Sequence, residues 1–465
     1  MREHVHFIGI GGTGLSAIAR ILLQKGYSVS GSDQVASIYF DEITKEGAKT
    51  YLGHSPENIL GADLIIRSSA INDNNPEILA AKKSGIPVYK RSEYLPELLS
   101  GLDTIAIAGT HGKTTTTAMI ITILKEMRLD PSFIIGANIK ALNTNAETGQ
   151  GSLFVIEADE YDHMFMGLNP LISVVTNIEH DHPDCYPTPE SYQQAFVEFL
   201  RLLRLDGAGF VCIDDPGIQK MIADLMLDNK TIYTYGFSSA ADFQATNIRI
   251  DSLGLPVFDL KNKLSKESTK FIGTCYLKIP GEHNILNALA ALAVIDHLGL
   301  SIKKAIQTLS HFNGTERRFD VLGTEKGITI INDYAHHPTQ IRLTLNATRE
   351  RYPSSRIWTV WEPHTYSRTS TLEKEFIQSL DDSDKVIITK IYAAREADTG
   401  YRPTAIINAL QSKAAVFIPE FDHVVEYLLT NLIAGDVVLV LSAGYAPEIS
   451  QKTFEGLKLR NRLIN

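Results

Sequence analysis

The stretch Gly109-Thr110-His111-Gly112-Lys113-Thr114-Thr115-Thr116-Thr117 constrains the fold most. It lies between the apolar run Thr104–Ala108 and the helix-like stretch Ala118–Met127. A strand feeding a glycine-bounded loop and then a helix N-terminus converges backbone N–H groups on one point, and the helix dipole adds positive potential. Lys113 would add a mobile full charge, and the Thr114 hydroxyl follows it where a magnesium ligand belongs. The stretch therefore predicts a site for the phosphates of ATP. The match to the generic phosphate-loop pattern is partial, because Ile107 stands where the first glycine should lie, five residues before Gly112. The plainer alternative, a lysine and threonines that merely open an amphipathic helix, is disfavoured by the preceding strand.

A second glycine loop stands near the start. Gly9, Gly11 and Gly14 satisfy GxGxxG, with Gly12 and Thr13 between them, after an apolar strand Val5–Ile10 and before a helix from about Leu15 to Lys25. The next strand, Tyr27–Asp33, ends in an acid about twenty residues on, which completes the Rossmann-type pattern. NAD, FAD and UDP-sugars would all present a pyrophosphate and a ribose to such a loop. The alternative is that the glycines only permit close helix–strand packing. Asp63–Ile66 reads as a further strand leading to Arg67-Ser68-Ser69-Ala70-Ile71, a polar loop on the binding edge of an open sheet. Asn75-Pro76-Glu77 opens a helix, Val88 begins a short strand, and Ser92 caps a helix that stops at Ser100-Gly101, the expected first domain junction.

Beyond the phosphate loop, the apolar run Leu153–Ile156 delivers Glu157-Ala158-Asp159-Glu160, and Leu171–Thr176 delivers Asn177-Ile178-Glu179-His180-Asp181-His182. Parallel strands end on one edge of a sheet, so both clusters should lie near the loop. Single acidic residues there are as often solvated as functional. His180 and His182 also admit a zinc reading, but oxygen-rich company beside phosphate favours magnesium. Alternating runs between Asp242 and Ile279 suggest appended antiparallel strands. In the helix that starts at His283, Asn284 and Asn287 share a face and would meet one ligand, or else solvate the helix start. A second junction is expected around Asn313–Phe319. The βα pattern then returns: Ile328–Ile331 leads to Asp333 and His336-His337-Pro338, and Ile357–Trp361 leads to His364 and Arg368. Structural ion pairs are an equal alternative for Arg317 and Arg368.

Composition narrows the classes. The 465 residues suggest about three domains. A net charge of −10, with no basic block, argues against nucleic acid as a partner. Cys185, Cys212 and Cys275 form no CxxC pair, which implies neither a zinc ribbon nor a disulfide framework and fits a reducing cytoplasm. No apolar segment approaches the length needed to cross a bilayer. Oligomeric state is not readable.

Taken in order, the two glycine loops, Glu157-Ala158-Asp159-Glu160, Thr176-Asn177-Ile178-Glu179, Asp181-His182, His283-Asn284 with Asn287, Arg317-Arg318-Phe319, Asp333-Tyr334 with His336-His337-Pro338, and Pro363-His364 with Arg368 resemble the Mur ligases along essentially the whole chain. The resemblance is greatest to the branch that joins L-alanine to UDP-N-acetylmuramic acid in peptidoglycan precursor synthesis. It implies an α/β protein of three domains. Residues 1–101 would form a Rossmann-like UDP-sugar domain, 102–314 a central ATPase-like domain, and 315–465 a Rossmann-like domain that closes over ATP and binds the amino acid. Carried over by position, Gly109, Thr110, His111, Gly112, Lys113, Thr114 and Thr115 would hold ATP with Asn284, Asn287, Arg318 and Asp333. Thr114, Glu157 and His182 would hold Mg2+. Gly9, Gly11, Gly12, Gly14, Asp33 and Ser69 would hold the UDP-sugar, and His337, His364 and Arg368 the amino acid. Lys113, Glu157, His182 and Arg318 would carry catalysis.

Some positions depart from the family pattern. Pro183 replaces the usual methionine after His182, Asn332 and Ala335 replace an aspartate and a glycine around Asp333-Tyr334, and Thr365 stands where an arginine is usual, which bears on the amino acid taken. The helix Glu190–Arg204 lacks the lysine that sibling ligases carbamylate. A ligase that recycles murein tripeptide onto the same sugar nucleotide is the nearest alternative. An NAD-linked oxidoreductase would leave the phosphate loop idle, and a non-ligating nucleotide-binding regulator is the third.

Overall fold

The computed structural model describes residues 3–226, 230–263, 270–394, 396–410 and 414–462. Two compact units emerge: Met1–Asn247 with Phe258–Cys275 and Leu286–Phe312, and Ile248–Val257 with Tyr276–Ile285 and Asn313–Asn465.

The first unit begins with a five-stranded parallel sheet in the order Lys49–Leu52, Ser28–Asp33, His4–Ile8, Leu64–Arg67, Val88–Lys90. Short apolar runs such as Val5-Phe7-Ile8 and Ile65-Ile66 become fully buried strands because helices cover both faces. Gly31 is required by packing, since a Cβ there would meet the Ile10 side chain and the Phe7 carbonyl. Asn75 caps the helix Pro76–Ser84 as expected. The helix Arg91–Leu98 starts one residue before the predicted cap Ser92, because the Glu93 carboxylate accepts the Lys90 N–H (2.6 Å) and closes the turn there.

Beneath this sheet's binding edge lies a fully buried carboxylate, Glu77. It accepts from Ser32 Oγ (2.6 Å) and Asn58 Nδ2 (2.6 Å), with His54 Nδ1 at 3.3 Å and His6 Nε2 at 3.8 Å. Burial alone would raise its pKa, but His6, Ser32 and Asn58 outweigh burial and hold it below the ordinary value. A depressed folded-state pKa contributes stability that is present above the unfolded value and lost as pH falls through the folded one. Glu77→Gln is accordingly expected to cost about 1–3 kcal/mol at pH 7. Thermal melts at pH 7 and under acid check this, and the gap to wild type should narrow in acid.

The second sheet has ten strands, with Asp103–Ala108 near its middle, Leu153–Glu157 on one side of it and Ile172–Val175 on the other, all parallel. The winding changes direction at Asp103–Ala108, which opens a crevice at its C-terminal end. One edge carries a hairpin, Ser132–Ile139 with Thr144–Glu147, that the sequence reading did not identify. The other edge carries Phe243–Ile250, Pro256–Asn262 and Lys270–Tyr276, the appended strands expected from their alternation, although the first of them joins Thr231–Gly236 in parallel rather than antiparallel. The helix Thr13–Gln24 packs on the hairpin. There Arg20, almost fully buried, pairs with Glu42 (3.2 Å) and Glu46 (2.7 Å) and also donates to Asn145, while Thr148 N–H donates to the Gln24 side chain (2.6 Å).

The second unit contains a six-stranded sheet in the order Asp320–Glu325, Ile328–Asp333, Val437–Leu441, Ile357–Trp361, Lys385–Ile388, Val416–Phe417, parallel except for the first pair. Apolar clusters cover both faces, one around Trp361, Ile331 and Leu439 and the other around Trp358, Val438 and Ile330. Pro338 opens the helix Pro338–Arg351 as predicted.

Candidate active site

The phosphate loop is shorter than the glycine-bounded stretch suggested, because the helix begins at Lys113 rather than Ala118. Gly109 has φ +129° and its missing Cβ would collide with Thr176; Gly112 has φ +84° and abuts the Asn287 amide. Two loop N–H groups are held internally, Thr110 N–H by the Asn177 carbonyl (3.0 Å) and His111 N–H by Asn177 Oδ1 (2.9 Å). Asn177 therefore braces the loop, together with Thr110 Oγ1 donating to the Glu179 carbonyl (2.9 Å). The first helical bond is from Thr116 N–H to the Gly112 carbonyl (3.0 Å), so the amides of Lys113, Thr114 and Thr115 are those the helix cannot satisfy. These are the groups that would receive phosphate. The His111 ring lies 2.8 Å from Glu179, and Thr116 Oγ1 donates to Asn287 Oδ1 (3.2 Å).

Lys113 Nζ reaches back over the loop to the Gly109 carbonyl and donates to both oxygens of Glu160 (2.8 and 3.0 Å). Burial would lower the lysine's pKa, but Glu160, Asp159 and Glu157 outweigh it and keep the ammonium charged. Glu160, 1% exposed, also accepts from Tyr192 OH (3.1 Å). Its pKa is raised by burial, against the attraction of Lys113. Thr114 Oγ1 donates to Glu157 Oε1 (2.9 Å), and Glu157 Oε2 accepts the Gly136 N–H from the edge hairpin (2.7 Å). His182, with φ +56° before Pro183, points Nε2 to within 3.9 Å of Glu160 and stands edge-on to Tyr161. Lys113 and His182 thus converge on Glu160, while Thr114 pairs with Glu157. A hydroxyl, carboxylate oxygens and one imidazole suit a hard divalent ion such as magnesium.

Glu160, Tyr192, Asn177, Gly136 and Arg91 are the members of this neighbourhood that sequence reasoning left out. Glu160 stood in the quoted cluster, but strand periodicity does not say which carboxylate after a strand turns inward. Tyr192 reads as the apolar face of the helix Pro189–Arg201.

In the first sheet, Gly9 N–H and Ile10 N–H donate to the Ser32 carbonyl (2.8 and 3.1 Å), and Gly11 N–H donates to Asp33 Oδ2 (2.9 Å). Asp33 therefore shapes the glycine loop itself. Gly12 caps the helix Thr13–Gln24 without a side chain. A Cβ on Gly14 would run into the Arg91 guanidinium, so this glycine makes room for an arginine rather than for a strand. Ser69 is exposed in the turn after Leu64–Arg67.

In the second unit, Asp333 accepts the N–H groups of Phe319 and Ala335 (both 2.7 Å). Burial raises its pKa against the pull of Arg318 and Arg317. Both guanidiniums sit over the Tyr334 ring, at 4.9 Å for Arg317 and 4.8 Å for Arg318. Arg317 also donates to the Ser442 carbonyl (2.8 Å), a structural bond to backbone rather than the ion pair weighed for it. His337 caps the helix Pro338–Arg351 and is almost fully buried. His364 Nδ1 lies 2.8 Å from Arg368, and its ring faces His336 (5.2 Å) and Tyr392 (5.6 Å). Asn284 donates to the Pro280 carbonyl (2.6 Å) at the start of its helix.

Comparison with known proteins matches three family models in chain order: the Mur ligase family catalytic domain over residues 4–102, the Mur ligase middle domain over 107–295, and the Mur ligase glutamate ligase domain over 317–444. The UDP-N-acetylmuramate–L-alanine ligase of Caldanaerobacter subterraneus is 41% identical over 457 residues, covering 97% of each chain. That of Acetivibrio thermocellus is 41% identical over 95% of this chain and 93% of that relative. Among solved structures, the UDP-N-acetylmuramate–alanine ligase of Thermotoga maritima superposes with a TM-score of 0.84 at 28% identity, covering 98% of this chain and 99% of that one. A murein peptide ligase from Psychrobacter arcticus gives 0.73 at 25%, covering 98% of both. With a phosphate loop, a glycine loop and three matched domains along nearly all its length, the chain belongs to the Mur ligase family.

Proposed function

We propose that this enzyme joins L-alanine to the muramoyl carboxylate of UDP-N-acetylmuramic acid at the expense of ATP, in peptidoglycan precursor synthesis. The observation that carries this reading is Lys113, poised over the phosphate loop among Glu157, Asp159 and Glu160. An amine and a carboxylate at neutral pH form a salt, so the carboxylate needs a leaving group. Transfer of the γ-phosphoryl group supplies one as an acyl phosphate, and attack by the neutral amine of alanine then expels phosphate. The first step brings two anions together. Lys113 and Arg318 would offset that repulsion and stabilise the charge that develops. Magnesium, held by Thr114, Glu157 and His182, would supply further neutralisation of the phosphates. Asn284, Asn287 and Asp333 would hold the nucleotide, Asp333 through the ribose. Gly9, Gly11, Gly12, Gly14 and Ser69 would hold the UDP-sugar on the loop that Asp33 shapes. Arg368, steadied by His364, would grip the amino acid's carboxylate, and His337, which follows the strand Ile328–Asp333, would join them.

Among the described residues no helix is long and apolar enough to cross a membrane. The substrates proposed are small molecules of the cytoplasm, and the net charge of −10 speaks against nucleic acid.

The test is phosphate release with ATP, magnesium and UDP-N-acetylmuramic acid while single amino acids are added in turn. Release that requires both the sugar nucleotide and L-alanine is expected. Release with the murein tripeptide but no free amino acid would instead place the chain with the peptide ligases, the reading that Thr365 and the Psychrobacter likeness keep in view.

A further inference from the structure

Arg91 opens the helix Arg91–Leu98 directly after the edge strand Val88–Lys90, at the C-terminal edge of the first sheet. Its guanidinium lies against Gly14 of the glycine loop and donates to Asp159 Oδ2 (3.2 Å) in the carboxylate cluster that surrounds Lys113. Asp159 is fixed from its other oxygen by the Tyr161 N–H (3.2 Å).

Two arginines therefore connect the first two sheets, and they differ. Arg20 is 4% exposed and engaged by Glu42, Glu46 and Asn145, as a structural tie should be. Arg91 keeps 24% of its side-chain surface open, and among the described residues Asp159 is its hydrogen-bond partner. An arginine carries five N–H donors in a planar fork that matches a carboxylate. The fork thus touches the glycine loop at Gly14 and, through Asp159, the carboxylate cluster that holds Lys113.

We infer that Arg91 holds the carboxylate of the acceptor, the arm of the sugar nucleotide that must reach from the glycine loop to the phosphate loop. The inference rests on the proposed function for the nature of that acceptor. Arg91 would pin the anion through N–H bonds while Asp159 keeps the guanidinium aimed, so the residue selects sugar nucleotides that carry a carboxylate arm over those that lack one.

The comparison that tests this is the affinity of wild type and Arg91→Ala for UDP-N-acetylmuramic acid and for UDP-N-acetylglucosamine, which lacks the carboxylate, measured by calorimetry without ATP. The expected result is a loss of about tenfold to a hundredfold for the first ligand and a change within about twofold for the second. Equal loss for both ligands would reduce Arg91 to a support for the glycine loop, and no loss for either would remove it from the site. If Arg91→Ala does not fold, Arg91→Lys reads the same comparison, because it keeps the pair with Asp159 but not the fork; an unchanged preference for the carboxylate would overturn the inference. Phosphate release by wild type with UDP-N-acetylmuramic acid and L-alanine, assayed alongside, separates a wrong residue from a wrong substrate.

Discussion

Lys113→Ala is expected to lower substrate-dependent ATP turnover by a factor of about 10³ or more. The ammonium sits at the mouth of the loop, held by Glu160, and would be the mobile full charge that follows the γ-phosphoryl group as it moves. Binding of the sugar nucleotide should survive, since the glycine loop Gly9–Gly14 belongs to a different sheet. Loss of that binding in a folded variant would contradict the division of labour. A second readout is stability. Without Lys113, Glu160 is a buried carboxylate whose pKa already lies above the ordinary value, so its folded form favours the proton. A group raised in this way supports the fold below its unfolded pKa and loses that support as pH rises. The melting temperature of Lys113→Ala should therefore fall, relative to wild type, as pH rises above the ordinary carboxylate range.

Glu157→Ala is expected to reduce kcat by about 10² to 10³. Glu157 has two structural bonds, from Thr114 Oγ1 and Gly136 N–H, and these separate its two possible roles. Glu157→Gln can still pair with both, its amide oxygen accepting the Gly136 N–H and its NH2 donating to the Thr114 hydroxyl, but it discards the charge. If the carboxylate serves magnesium, the glutamine variant should remain nearly as impaired as alanine and should need more magnesium for half-maximal rate. If the bonds alone matter, glutamine should restore activity. Steady-state rates across a magnesium titration decide between them.

Much of this was legible in the chain itself. The runs Val5–Ile8, Thr104–Ala108, Leu153–Ile156 and Val437–Leu441 are short and largely apolar on both faces, as a strand buried on both sides is. Residues delivered at the ends of such strands gave Glu157, Asp333 and His364 their places. The hairpin Ser132–Glu147 was missed because Gly136 and Asn138 break its alternation, and Gly136 earns its place through a backbone N–H rather than a side chain. Asp33 was placed correctly in sequence, but its bond to Gly11 depends on how tightly the loop folds over the strand end. The cluster Glu157–Glu160 held an ambiguity that periodicity could not resolve: three acids in four residues, of which one faces Thr114, one Arg91 and one Lys113. That sorting depends on three-dimensional neighbours more than forty residues away.

The Arg20 tie has a consequence for how this scaffold can change. Since the helix Thr13–Gln24 is tied to the edge hairpin through Asn145 and Thr148, that seam helps to set the gap between the glycine loop of the first sheet and the phosphate loop of the second. An acceptor arm longer or shorter than that gap would miss the phosphate however well its sugar were bound. A new arm length would then be reached by remodelling the helix–hairpin seam, far from either loop, while the residues that touch substrate stayed as they are.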